Sequence, residues 1–128
     1  MEYSELIPRT KMDYERVALL KRASKAKIIP ILPELLMWLQ DMNWPIAQDI
    51  EDILVDFEEY LIPHIRAVIK TNDGGWKFFL LHGLINRLSN EKLLELKPEL
   101  IRMRFSPTKD EIEEELTEKI DELLARID

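Results

Sequence analysis

The sequence predicts an all-α fold: a short α-solenoid of about three helix pairs, preceded by an N-terminal capping helix. Three observations carry that prediction. The chain has only three Gly but is rich in Leu, Ile, Glu and Lys, a balance that favours helices over turns and strands. Apolar residues recur at helical spacing in several segments. One stretch, Ser24–Leu36, returns as Ser89–Ile101 without a gap, at an offset of 65 residues.

The leading helix is expected over Asp13 to Ser24, where Val17, Leu20 and Ala23 make an apolar stripe that caps the stack. In the repeated stretch SKAKIIPILPELL aligns on SNEKLLELKPELI, so that Ile28, Ile29, Ile31 and Leu36 meet Leu93, Leu94, Leu96 and Ile101. An offset of 65 residues is about two helix-pair repeats, so a third unit belongs between them. LIPHIRAVI supplies it, with Pro63 between Pro33 and Pro98 at intervals of 30 and 35 residues. Each Pro is read as sitting in the first turn of a helix, where its missing N–H is no loss.

A second marker follows the first. Asp41-x-x-Trp44 and Asp73-x-x-Trp76 each open an apolar-periodic segment. Asn43 or Asp41 is the expected cap of the first segment, with Pro45 in its first turn. The second helices are then Ile46, Ile50, Ile53, Leu54 and Phe57 in one unit, and Ile112, Leu116, Ile120, Leu123, Leu124 and Ile127 in another. Between them WKFFLLHGLINRL, Trp76 to Leu88, is apolar nearly all round and reads as a central helix covered on both sides. The chain is thus one domain, 1–128, with a cap over 1–30 and units over 31–60, 61–90 and 91–128.

Length and composition agree. A chain of 128 residues with a 46% apolar fraction suits one core and argues against disorder. No Cys occurs, which removes disulfides, thiolate metal sites and a Cys nucleophile, and makes the cytoplasm the default expectation. The opening MEYSELIPRT lacks the charged-then-apolar pattern of a leader. No apolar run approaches a membrane span, so no membrane partner is expected.

The net charge of −7 is unevenly spread. Residues 1–30 carry seven Lys/Arg against four Asp/Glu, and residues 31–62 carry eight Asp/Glu and no Lys or Arg. Residues 63–107 carry eight basic and four acidic groups, and residues 108–128 three basic and nine acidic. An acidic surface repels phosphate backbones, which disfavours nucleic acid as a partner.

The segments LIPRTKMDYERVALLKR, LPELLMWLQDMNWPIAQ and LIPHIRAVIKTNDGGWKFFLL together resemble an uncharacterised bacterial family, a domain of unknown function with HEAT-like helical repeats. The resemblance spans nearly the whole chain. It implies a HEAT-like solenoid and brings no catalytic residues with it.

Motifs of chemistry are scarce. The sequence has no GxSxG, GxGxxG or GxxxxGK[ST], so the nucleophile elbow, dinucleotide loop and P-loop are not expected. His64 and His82 are the only histidines, too few for a usual zinc site, and are read as core or interface residues. No catalytic, cofactor or metal site is expected.

The sharper expectation concerns carboxylates. Asp49, Asp52, Asp56 and Glu59 fall at i, i+3, i+7 and i+10, a helical stripe opposite the apolar face, and Glu111, Glu115, Glu118 and Glu122 make a second. The expected partner-binding residues are Asp49, Asp52, Asp56 and Glu59 with Trp44, docking a protein with a basic surface. Trp38, Trp44 and Trp76 are read mainly as packing between units. The leading functional expectation is a non-catalytic protein-binding module, in one version an inhibitor or immunity-type protein. The alternatives are a HEAT-like nucleic-acid-binding or repair-type enzyme using Arg66, Lys70, Arg102 and Arg104, and a self-associating structural protein in which Lys21, Arg22, Lys25 and Lys27 meet an acidic helix of a second copy.

Overall fold

A computed structural model describes residues 3–128, and every regular element among them is helical. The first α-helix, α1 (Tyr14–Arg22), starts where the sequence places it. The Asp13 carboxylate accepts the Arg16 N–H at 3.2 Å, and Val17 and Leu20 turn inward. The next stretch, 25–39, is helical but segmented: α2 (Lys25–Ile28), a 3-10 turn at Ile29–Ile31, α3 (Leu32–Leu36) and a second 3-10 turn at Met37–Leu39. Pro30 and Pro33 withhold two backbone donors, so one uninterrupted α-helix cannot form there.

Two expected helix starts are corrected. Trp44 and Pro45 do not open a helix: α4 spans Ala47–Val55, and the residues before it form a turn. In that turn the Asp41 side chain accepts the Asn43 N–H at 2.9 Å, so it caps a bend instead of α4. The Ile46 N–H then reaches back to the Lys11 carbonyl at 3.2 Å, tying the turn to the N-terminal segment. Pro63 does not lead a helix either. It lies inside α5 (Glu58–Ile69), on the exposed side, where water can serve the carbonyl that its ring cannot.

Asp73 does cap α6 (Gly74–His82), accepting the Trp76 N–H at 3.0 Å. The helix is shorter than the apolar run suggested. It stops at Gly83, and the chain continues through a 3-10 turn at Ile85–Arg87. It is nonetheless central, packing on α5, on the 37–39 turn and on two later helices. The remaining elements are α7 (Asn90–Glu95), α8 (Lys97–Phe105), α9 (Lys109–Glu113) and α10 (Thr117–Ile127). Pro98 stands in the first turn of α8, as expected. No helix among the described residues is long and apolar enough to cross a membrane.

The sequence repeat is also a burial repeat. Ile28, Ile31 and Leu35 are buried, and so are their equivalents Leu93, Leu96 and Leu100. The two copies part on the adjoining face. Leu32, Leu36 and Leu39 are buried, whereas their equivalents are Lys97, the exposed Ile101, and Arg104. Lys97 and Arg104 reach Asp128 (3.0 Å) and Asp121 (2.7 Å), so this face is covered by α10 through ion pairs over an apolar seam.

Between α6, α8 and α9 lies a buried cluster of charges. Lys77, 1% exposed in the middle of the apolar run, places Nζ 2.8 Å from Glu111 Oε2 and 2.8 Å from Asp110 Oδ2. Arg102 grips the same Glu111 with both terminal nitrogens, at 2.9 and 2.6 Å, and the Thr108 N–H donates to it at 3.0 Å. Burial opposes ionisation of Glu111, but the hydrogen bonds from Arg102, Lys77 and Thr108 outweigh it and lower its pKa to about 2. Gly74 lets α6 approach: a Cβ there would stand 2.5 Å from the Asp110 carbonyl oxygen.

Removing one member leaves its partner charged and buried. Lys77→Met is therefore expected to cost on the order of 3 kcal/mol of stability, measured by urea unfolding. A pKa depressed from 4.5 to about 2 gives stability that is complete above pH 4.5 and lost as pH falls through the folded value. Acid titration followed by circular dichroism should show that loss in the wild type. In Glu111→Gln the same pH interval should be flatter.

Candidate functional site

The first expected stripe is divided between elements and half answered from within. Asp49 and Asp52 lie on α4, Asp56 is its C-terminal cap, and Glu59 belongs to the first turn of α5. Asp49 faces Lys21 of α1 at 3.6 Å. Asp52 receives Arg87 at 2.6 Å and Gln48 at 3.0 Å, and the Arg87 hydrogen bond holds its carboxyl below the usual range. The Lys25 ammonium donates to the Asp56 carbonyl at 3.2 Å. Asp56 and Glu59 are exposed and their carboxylates make no ion pair among the described residues. Asp52 and Asp56 line one cavity, which Lys21 and Lys25 share; Asp49, Glu59 and Trp44 are not in its lining.

Trp44 sits away from the stripe. It is half-buried, edge-on to Trp38 with ring centroids 5.6 Å apart, while the Trp76 indole N–H donates to the Leu36 carbonyl at 3.2 Å. Trp38 and Trp76 therefore pack against the core, and Trp44 packs on Trp38.

Behind Asp52, Arg87 also binds Glu51 at 2.9 Å, and Glu51 is buried at the joint of α4 and α6. One carboxylate oxygen of Glu51 rests against Gly83, where any Cβ would collide with it. His82, beside Gly83, stacks on Phe78 at 4.3 Å, and desolvation followed by the nearby Lys119 lowers its pKa. His64 lies on α5. Among the described residues no three His, Asp or Glu side chains converge as a metal-binding group.

The basic residues of the alternative reading are mostly engaged. Arg66 binds Glu99 at 2.7 Å and the Glu95 carbonyl at 2.7 Å. Arg102 is committed to Glu111 and Arg104 to Asp121. Lys70 alone of the four carries no ion pair among the described residues.

The second stripe needs the largest correction, because Glu111 is not a solvated residue but the buried centre of the Lys77 cluster. Residues 109–127 are also not one helix. At Glu115, between α9 and α10, φ is 53°, a left-handed conformation that ends α9 and turns the faces on either side out of register. Ile112, read as part of the apolar face, is consequently 61% exposed, whereas Leu116, Ile120 and Leu123 are buried.

That turn opens a groove of about 850 Å³ along α9, α10 and the end of α8. Met103, Pro107, Ile112 and Leu116 give it an apolar floor. Glu115, Glu118, Asp121 and Glu122 stand around it, and no Lys or Arg lines it. Asp121 is paired with Arg104, and Glu122 with Lys119 at 3.1 Å. Glu115 and Glu118 have no ion pair among the described residues. Sequence reading missed this groove because it rests on the chain break at Glu115, and nothing marks Glu as a residue for left-handed backbone, where Gly or Asn is usual.

The fold and its surface define an all-helical module with an acidic, apolar-floored groove. The chain belongs to DUF5071, a domain of unknown function, whose family model matches residues 6–124. A comparison with curated proteins gives no match.

Gly83→Ala tests the packing behind Asp52. The new methyl meets the Glu51 carboxylate and lies 3.0 Å from the Phe79 carbonyl oxygen. It is expected to destabilise by about 1–3 kcal/mol, as overpacking does, with the loss read as a lower Tm.

Proposed function

We propose that this chain is a non-catalytic protein-binding module, a short HEAT-like solenoid that docks a basic partner in the manner of an inhibitor or immunity-type protein. The observation that supports it is that Glu115 and Glu118 line a groove with no Lys or Arg in its lining, whereas the cavity beside Asp56 is shared with Lys21 and Lys25. Asp49 and Asp52 spend their charge on Lys21 and Arg87, while Glu115 and Glu118 border an open groove without a counter-ion. Carboxylates left unpaired beside apolar surface gain more from an incoming cation than carboxylates already paired. The engagement of Arg66, Arg102 and Arg104 by carboxylates reduces what that basic set could offer a phosphate backbone, which supports protein over nucleic acid.

Affinity capture from the native host, read by mass spectrometry, tests this reading. Three baits are compared: wild type, Asp52→Lys/Asp56→Lys and Glu115→Lys/Glu118→Lys. The wild type is expected to retain a partner of high pI that high salt releases. Reversal in the groove is expected to cut retention at least tenfold, and reversal on α4 to cut it less. Equal retention by all three baits rejects docking on carboxylates.

A further inference from the structure

We infer that the segment seated in the C-terminal groove is amphipathic and basic: it places an apolar side chain on the floor made by Met103, Pro107, Ile112 and Leu116, and points Lys or Arg side chains at Glu115 and Glu118. This rests on the protein-binding reading above and adds the chemistry of the partner.

Two features of the groove fix that chemistry. Its apolar lining is left open at one residue, since Ile112 stands 61% exposed while Met103 and Leu116 beside it are buried. An apolar side chain left this open inside a groove with a charged rim offers an anchor point for a docking segment. The rim is of one sign. Glu111 is fully matched by Lys77 and Arg102, and Asp121 and Glu122 each have one cation, so the unmatched charge is that of Glu115 and Glu118. An acidic or uncharged apolar segment would bury these carboxylates without compensation, whereas one bearing Lys or Arg pairs them.

Glu115 also separates binding from folding. Its φ of 53° is a conformation in which Asn is less strained. Glu115→Asn is therefore expected to hold or raise Tm while removing one rim charge, a combination that a purely structural role would not give.

The test uses the full chain, isotopically labelled, and three synthetic helical peptides of equal length: Lys/Leu amphipathic, Lys/Ser and Glu/Leu. Amide chemical shifts report the site. The Lys/Leu peptide is expected to give saturable shifts over residues 112–122, with both other peptides at least tenfold weaker. Glu115→Asn and Glu118→Gln should each weaken the Lys/Leu peptide about threefold or more, the size of one partly screened charge contact. Ile112→Ser should weaken it while leaving the Lys/Ser peptide unchanged.

Equal binding of Lys/Leu and Lys/Ser overturns the apolar anchor but spares the basic-partner reading. Equal binding of Lys/Leu and Glu/Leu overturns both for this groove. Saturable shifts confined to residues 49–59 move the site to α4 and overturn this inference alone. Shifts at 112–122 that grow with the chain's own concentration assign the groove to a second copy, and shifts with none of the peptides reject it as a docking surface.

Discussion

The interaction on which the C-terminal half depends is the burial of one ammonium group. Lys77 enters the interior from α6 and meets Asp110 and Glu111 at the start of α9. Glu111 then binds Arg102 of α8, so one carboxylate orients three helices. An ammonium in an apolar interior without such partners would cost several kcal/mol, on the order of the stability of a whole small domain. The cluster thus favours one placement of α9 strongly over its alternatives. The direction of α9 in turn sets where Glu115 must reverse the chain and where α10 lies.

The same arithmetic of charge organises the surface. The chain carries 25 acidic and 18 basic side chains, and position decides which acids are answered internally. α1 brings Lys21 over α4, and the turn after Gly83 brings Arg87 onto the same helix from the other side. At the groove Arg104 and Lys119 likewise serve one carboxylate each, and Glu115 and Glu118 are left without an ion pair among the described residues. Net charge by segment therefore overstated the availability of the α4 stripe and understated how much of Glu111's charge is hidden. What differs between the two faces is the surroundings of the unpaired carboxylates: Lys21 and Lys25 line the cavity of Asp56, and no Lys or Arg lines that of Glu115 and Glu118.

Much of the architecture was legible where local pattern and burial coincide. Helices start at Asp13 and Asp73 where the sequence placed them, and the repeat correctly paired Ile28, Ile31 and Leu35 with Leu93, Leu96 and Leu100. Pro33 and Pro98 obey the first-turn rule, but Pro63 does not, because a Pro on the exposed side of a longer helix has the same sequence signature. Lys77 was hidden in the apolar run by its neighbours, and its partners lie over 30 residues away, beyond any periodicity. The groove was illegible for a related reason. It depends on a left-handed residue that is neither Gly nor Asn, so Ile112 seemed to continue a stripe that the backbone breaks three residues later.

No side-chain hydrogen bond among the described residues spans more than 40 positions of the 128. The Trp76 indole bond to Leu36 and the Arg126 bond to the Asn86 carbonyl, at 40 positions, are the widest spans among the described residues. A network wired this way conveys distress poorly: loosening α10 strips contacts from α7 and α8 but touches no bond of α1. Opening at the two ends is thus expected to be separable, with the groove able to breathe while the N-terminal layer stays protected from exchange. A binding surface placed at such an end can adapt to its occupant at little cost to the rest of the fold.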